Sequence, residues 1–249
     1  MRLVISVVSL IAFVSCNENS SPVYHIGLSQ CSDDAWRQKM DEEMQRELLF
    51  HPNLRLSIRS ASDNSVMQSL QIDSFIHERV DLLIVSPNEA DGLTDAVSRA
   101  YDAGIPVIVA DRRVHGNKYT AFIGGDNYLV GKLLAEHISR LLPRGGEFVL
   151  LRGLEGSTPD VYRYAGLKDN LPENITITEE LRANWFRDNA RQLMNDYLLT
   201  HSPSMILAFN DRMAIGAWEA FSSQQSASNN KLREEGVSKC RHTLLLFCM

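Results

Sequence analysis

Cysteine is scarce in this chain of 249 residues, and Cys16, Cys31, Cys240 and Cys248 show no C-x-x-C spacing. That argues against structural zinc, and the scatter makes a poor disulfide framework. Basic charge is also in deficit: 25 Lys and Arg against 31 Asp and Glu leave a net charge of −6. Nucleic-acid binders carry a basic face, so that class is set aside. No stretch is of low complexity, and no repeat of solenoid period is found. No carboxylate pair, nucleophile–base set or metal constellation stands out. Neither catalysis nor a cofactor nor a metal is expected.

The opening stretch, "MRLVISVVSLIAFVSC", is apolar after a single arginine. It is shorter than the roughly 18 residues of a spanning helix and reads as a signal-peptide core. At Ser15-Cys16 it gives way to the polar "NENSSP". A small residue before cysteine resembles a bacterial lipoprotein cleavage site, with Cys16 as the lipidated residue. Phe13 departs from that pattern, which usually has Leu there. Residues 1–16 are read as a signal peptide or an uncleaved membrane anchor.

From Val23 onward, short β-branched runs alternate with amphipathic stretches. "YHIGLS" predicts a strand, and "DDAWRQKMDEEMQRELLF" a helix with Trp36, Met40, Met44 and Leu48 on one face. "LRLSIRS" and "SVMQSLQIDSFIHE" repeat the strand–helix pair. "VDLLIVSP" and "IPVIVAD" are continuous apolar runs, as in strands buried on both faces. Between them, "EADGLTDAVSRAYDAG" is a helix closing on glycine. The polar "RRVHGNKYTAFIGGDN" interrupts this rhythm, and Phe122–Asp126 reads as a crossing between lobes. "GEFVLLRG", "ITITEELR" and "SMILAF" then alternate with helices over "TPDVYRYAGLKDNL", "FRDNARQLMNDYLLTH" and "DRMAIGAWEAFSS". Repeated β-α units imply parallel sheets covered by helices. The predicted architecture is α/β, with two lobes of doubly wound parallel sheet over 23–125 and 126–224. Residues 225–249 start as a polar linker and end in an apolar run without a strand-plus-turn signal. The second lobe is therefore expected to be incomplete, as if the reading frame were cut or shifted near residue 225.

Three stretches, "DLLIVSPNEADGLTDAVSRAYDAGIPVIVADRR", "FIGGDNYLVGKLLAEHI" and "AFNDRMAIGAWEA", carry a family resemblance. In this order and spacing they resemble type I periplasmic binding proteins, the ribose-binding and lactose-repressor superfamily. "GLSQCSDDAWRQKMDEE" with "LLIVSPNEAD" is similar to the sugar-sensing domains of Bacteroides-type hybrid two-component regulators. The resemblance implies a periplasmic, non-enzymatic receptor closing on a monosaccharide. It implies a membrane histidine kinase as partner or, for a transport protein, a permease; a homodimer is the assembly considered. A repressor core is excluded, since only "NENSSPV" separates Cys16 from Tyr24, too little for a DNA-binding headpiece.

Ligands of parallel α/β sheets bind beyond the carboxyl ends of the strands. Asp111 and Arg112 follow "IPVIVA", and a carboxylate with a guanidinium fork suits neighbouring hydroxyls. The alternative is a solvated loop pair. Arg163, early in its helix, matches a family position that often binds ligand; otherwise it is a surface arginine. Asn210 and Asp211 follow "SMILAF", with Asn210 expected to point inward and Asp211 to cap the helix. Trp36 and Trp185 would come from opposite lobes and stack on sugar CH faces, although Trp36 also fits a core helix face. Asp34 and Arg37 are expected at the ligand edge, and Asn64 as a further contact. Trp218 is assigned to the core, Cys31 to buried packing, and Asp126-Asn127 to a hinge and cap.

Overall fold

A computed structural model of the chain describes residues 22–235 and 244–247. The signal or anchor expected at residues 1–16, and Cys240 and Cys248, lie outside the described residues. The first part of the chain runs β1 (Tyr24–Gln30), α1 (Ala35–Leu48), β2 (Leu54–Ser60), α2 (Ser65–His77), β3 (Leu82–Ser86), α3 (Ala90–Asp102), β4 (Val107–Ala110) and β5 (Ala121–Ile123). The second runs α4 (Asn127–Leu141), β6 (Gly146–Arg152), α5 (Thr158–Asn170), β7 (Ile175–Arg182), α6 (Arg187–Leu198), β8 (Met205–Ala208), α7 (Asp211–Glu235) and β9 (Leu244–Phe247). All strand pairs are parallel, in two sheets ordered β2-β1-β3-β4-β5 and β7-β6-β8-β9. The chain leaves the first sheet after Ile123 and enters α4 at Asn127, so Gly124, Gly125 and Asp126 make this crossing.

In the first sheet the chain steps one way from β1 to β2, then the other way to β3 and β4. With right-handed crossovers, α1 falls on one face and α2 and α3 on the other. The α2–α3 face is a dry core in which Ile72, Phe75, Leu93 and Val97 pack on Leu83, Val85, Val107 and Val109. The opposite face differs from expectation. Leu82, Ile84 and Ile108 are only half-buried, because α1 buries a single side chain, Arg37. Met40, Met44 and Leu48, expected on its inward face, are half-buried and Trp36 is exposed. A separate second core gathers Ile138, Phe148, Leu150, Leu167, Met194 and Leu207 around the second sheet.

The C-terminal segment also departs from expectation. The predicted polar linker continues α7 as far as Glu235, and its Gln, Ala, Lys and Glu residues are helix-compatible. The apolar run then pairs as β9 beside β8, from Met205↔Leu244 to Ala208↔Phe247. Among the described residues the second sheet has four strands against five in the first.

Local signals place the helices that line the cleft. Asp126 caps α4 by accepting the Leu129 amide at 2.9 Å, and α5 carries Pro159 in its first turn. Helices α4 and α5 touch backbone to backbone through glycines. A Cβ on Gly131 would lie 2.1 Å from the Arg163 carbonyl oxygen, and one on Gly166 would lie 2.1 Å from that of Tyr128. This close approach brings the Arg163 guanidinium to Asn127. Gly166→Ala is expected to force the helices apart and lower stability by about 1–3 kcal/mol. An unchanged midpoint in chemical denaturation would show that the contact is looser than described.

Candidate functional site

A cleft of about 370 Å³ opens between the two sheets. Its walls come from segments just beyond strand ends. Asp34, Trp36 and Arg37 follow β1, and Asp111 and Arg112 follow β4. Trp185 follows β7, and Asn210, Asp211 and Arg212 follow β8. Arg163 and Pro159 on α5 and Val130 on α4 complete the lining.

On the first lobe, Asp34 is the N-cap of α1. Its Oδ1 accepts the Trp36 amide at 2.9 Å, and its Oδ2 accepts the Ser32 hydroxyl at 2.7 Å. Burial pushes its carboxyl up, but the Ser32 hydroxyl, the Trp36 amide and the Arg212 charge together hold it below its ordinary value. Trp36 is 54% exposed at the cleft, which decides against a core role. Its ring lies 4.6 Å from the Arg37 guanidinium carbon.

Asp111 has φ +63°, in the left-handed region. The Arg112 amide donates to the Ala110 carbonyl at 2.7 Å, closing a tight γ-turn around it. Such a backbone costs about 1–3 kcal/mol outside glycine. It turns the Asp111 side chain out of the strand pleat at the mouth of the cleft. Arg112 is buried, and its Nη1 donates to the Asn88 carbonyl at 2.6 Å. Asn88 is itself held by Gln68, whose Oε1 accepts the Asn88 amide at 2.9 Å.

On the second lobe, Arg163 donates from Nε to Asn127 Oδ1 at 2.8 Å and from Nη1 to the Phe209 carbonyl. Its guanidinium lies 5.6 Å from the centroid of the Trp185 ring. Trp185 is only 9% exposed and has φ +74°. A Cβ at Gly153 would meet the ring at 2.0 Å, so glycine there lets the indole lie against the chain. Trp185 therefore forms a wall, and Trp36 is the open aromatic face.

Eight of the sequence-selected residues line one cleft: Asp34, Trp36, Arg37, Asp111, Arg112, Arg163, Trp185 and Asn210. Asn64 is not among them. It is exposed and caps α2, accepting the Met67 amide at 2.9 Å. Asn210 lines the cleft as expected, but the cap expected at Asp211 is corrected. Asn210 is the cap, its Oδ1 accepting the Met213 amide at 2.9 Å and its Nδ2 donating to the Trp185 carbonyl at 3.2 Å. Trp218 is 51% exposed rather than core, on the outward side of α7. Cys31 is fully buried. Arg212 was not singled out from the sequence, although its place immediately after Asn210-Asp211 is a signal for it.

Arg212 reaches across the cleft, with Nη1 3.3 Å from Asp34 Oδ1. On another side, the Arg113 amide donates to Thr158 Oγ1 at 2.7 Å and the Ala90 amide to the Gly156 carbonyl at 3.4 Å. These contacts join residues of the two lobes.

Two parallel α/β lobes, facing each other across a cleft lined by strand-end polar groups, define the class as a two-lobed binding protein. The periplasmic binding protein domain family matches residues 27–232, and the chain belongs to it. The fructose-binding periplasmic domain of a hybrid two-component system is similar at 40% identity, with a TM-score of 0.77. That match covers 81% of this chain and 68% of the other. An ABC transporter solute-binding protein from Bacillus halodurans, solved with bound myo-inositol, is similar at 28% identity and a TM-score of 0.78, covering 83% of this chain and 74% of that one. The ribose import binding protein of Bacillus subtilis is 26% identical over 171 residues, 68% of this chain and 56% of that protein. The chain thus spans little more than half the length of this curated relative.

The Asp34–Arg212 bridge yields a prediction. Arg212→Gln is expected to lengthen the distance between spin labels placed on the two lobes without ligand; an unchanged distribution would refute a bridging role. Because the folded-state carboxyl of Asp34 is held low, its stabilising contribution is present above about pH 4 and lost as pH falls through that lowered value. Asp34→Asn keeps the cap but gives up the Arg212 ion pair, so stability at neutral pH should fall and this acid-range loss should disappear from the unfolding profile.

Proposed function

We propose that the chain is the ligand-binding unit of a periplasmic receptor for a small sugar, acting without chemistry on its ligand. The observation that carries this is the convergence of Asp111, Arg112, Arg163 and Asn210 on one cleft beside the open face of Trp36. A carboxylate accepts from sugar hydroxyls, guanidinium forks donate to them, and an indole face covers the apolar CH surface. A ligand held from both lobes favours the closed arrangement and shifts the population toward it.

The similarity to a fructose-binding domain of a hybrid two-component system, at 40% identity, supports a sensor input and makes fructose the first ligand to try. In that reading the output is a membrane histidine kinase. A transport role, with a permease as partner, is the second reading, favoured by the similarity to an ABC transporter solute-binding protein. A kinase reading frame beside this gene would support sensing, and permease and ATPase genes would support transport. Periplasmic placement, anchoring through residues 1–16 or a lipid on Cys16, and a homodimer belong to the same proposal.

Titration calorimetry with D-fructose, D-ribose, D-xylose and myo-inositol tests the reading. Saturable binding of at least one is expected, and Trp36→Ala should weaken it about tenfold through lost stacking and burial. No heat with any pentose or hexose, from a protein shown to be folded, would overturn the sugar reading.

A further inference from the structure

Arg37 is the one buried side chain of α1, a helix whose other inward positions are only half-buried. It is 3% exposed, and both ends of its guanidinium fork are committed. Nη1 donates to Ser86 Oγ at 2.5 Å, and Nη2 donates to Asp111 Oδ2 at 2.5 Å. Ser86 is the last residue of β3, and Asp111 follows β4 immediately. The fork therefore ties the start of α1 to two neighbouring strand ends of the first sheet.

Asp111 needs such a tie. Its backbone is left-handed, its side chain is 33% exposed at the cleft, and Arg112 Nε is 4.0 Å from its Oδ2. In the close contact to Arg37, Oδ2 is taken and Oδ1 is left as the acceptor for a ligand hydroxyl. The contact also balances the Asp111 charge inside the wall. A single charge-assisted hydrogen bond from a buried guanidinium, itself fixed at its other end by Ser86, restricts the carboxylate more than a solvated pair would.

We propose that Arg37 is a positioning residue: it orients Asp111 in the cleft and makes no direct hydrogen bond to the ligand. This rests on the sugar-receptor reading. It reassigns Arg37 from the ligand edge to the support beneath Asp111.

A double-mutant cycle tests it. Asp111→Gly removes the carboxylate, and the left-handed backbone at 111 suits glycine. Arg37→Met removes the charge at similar volume. With D-fructose as the calorimetric probe, Arg37→Met is expected to weaken binding at least tenfold when Asp111 is present and less than twofold when residue 111 is glycine. An equal loss in both backgrounds would mean that Arg37 acts independently of Asp111, and would overturn the proposal. The same cycle is read in the ligand-free protein by thermal unfolding. Arg37→Met should lower the midpoint beside Asp111 and not beside glycine; equal drops would overturn the tie. If the parent protein binds no fructose, the sugar reading fails for that ligand while the unfolding cycle still decides the Arg37–Asp111 coupling.

Discussion

A charged group withdrawn from water must find a partner of comparable strength, and that constraint shapes the cleft. Arg37, Arg112, Arg163 and Arg212 share it with Asp34, Asp111 and Asp211. Uncompensated, so dense a set would cost more than the surrounding packing supplies. The fold distributes the burden. Arg37 is matched to Asp111 and Arg212 to Asp34, while Arg112 and Arg163 are anchored on neutral oxygens of Asn88, Asn127 and Phe209. Guanidinium groups held by neutral acceptors remain strong donors, which is what a hydroxyl-rich ligand requires.

These partnerships are possible only because parallel strands deliver consecutive strand ends to one edge. Residues following β1, β3 and β4 meet there in the first lobe, and those following β7 and β8 meet opposite them. The helices then act as spacers. The glycine contact between α4 and α5 brings Arg163 against Asn127, and Gly153 admits the Trp185 indole to the wall. Small residues far apart in the chain thus set the depth of the site. The bridge from Arg212 to Asp34 and the amide contacts at Thr158 and Gly156 make lobe approach a property of the protein as well as of its ligand.

Much of this was legible in the order of residues. Alternating β-branched and amphipathic segments imply parallel α/β units, and strand-end Asp111, Arg112 and Asn210 stand out because polar groups follow apolar runs. Other features were not. "DLLIVSP" reads as buried twice over, yet Leu82 and Ile84 are half-buried, since periodicity says nothing of how well the facing helix covers them. Trp218 shares its helix with buried alanines but points outward. "TLLLF" lacks the turn signal of the earlier strands, and its pairing depends on the edge that β8 offers.

The sequence by itself determined the class of fold, the crossing at Gly124-Gly125, and most residues of the cleft, because these follow from local periodicity and from the rule that strand ends line parallel-sheet sites. Only the tertiary structure decided what each residue does there. Asn64 and Arg37 look equally suited to a ligand in the chain, yet one caps a helix on the surface and the other is buried against Asp111. Such assignments depend on distances between segments dozens of residues apart, and no local pattern encodes them.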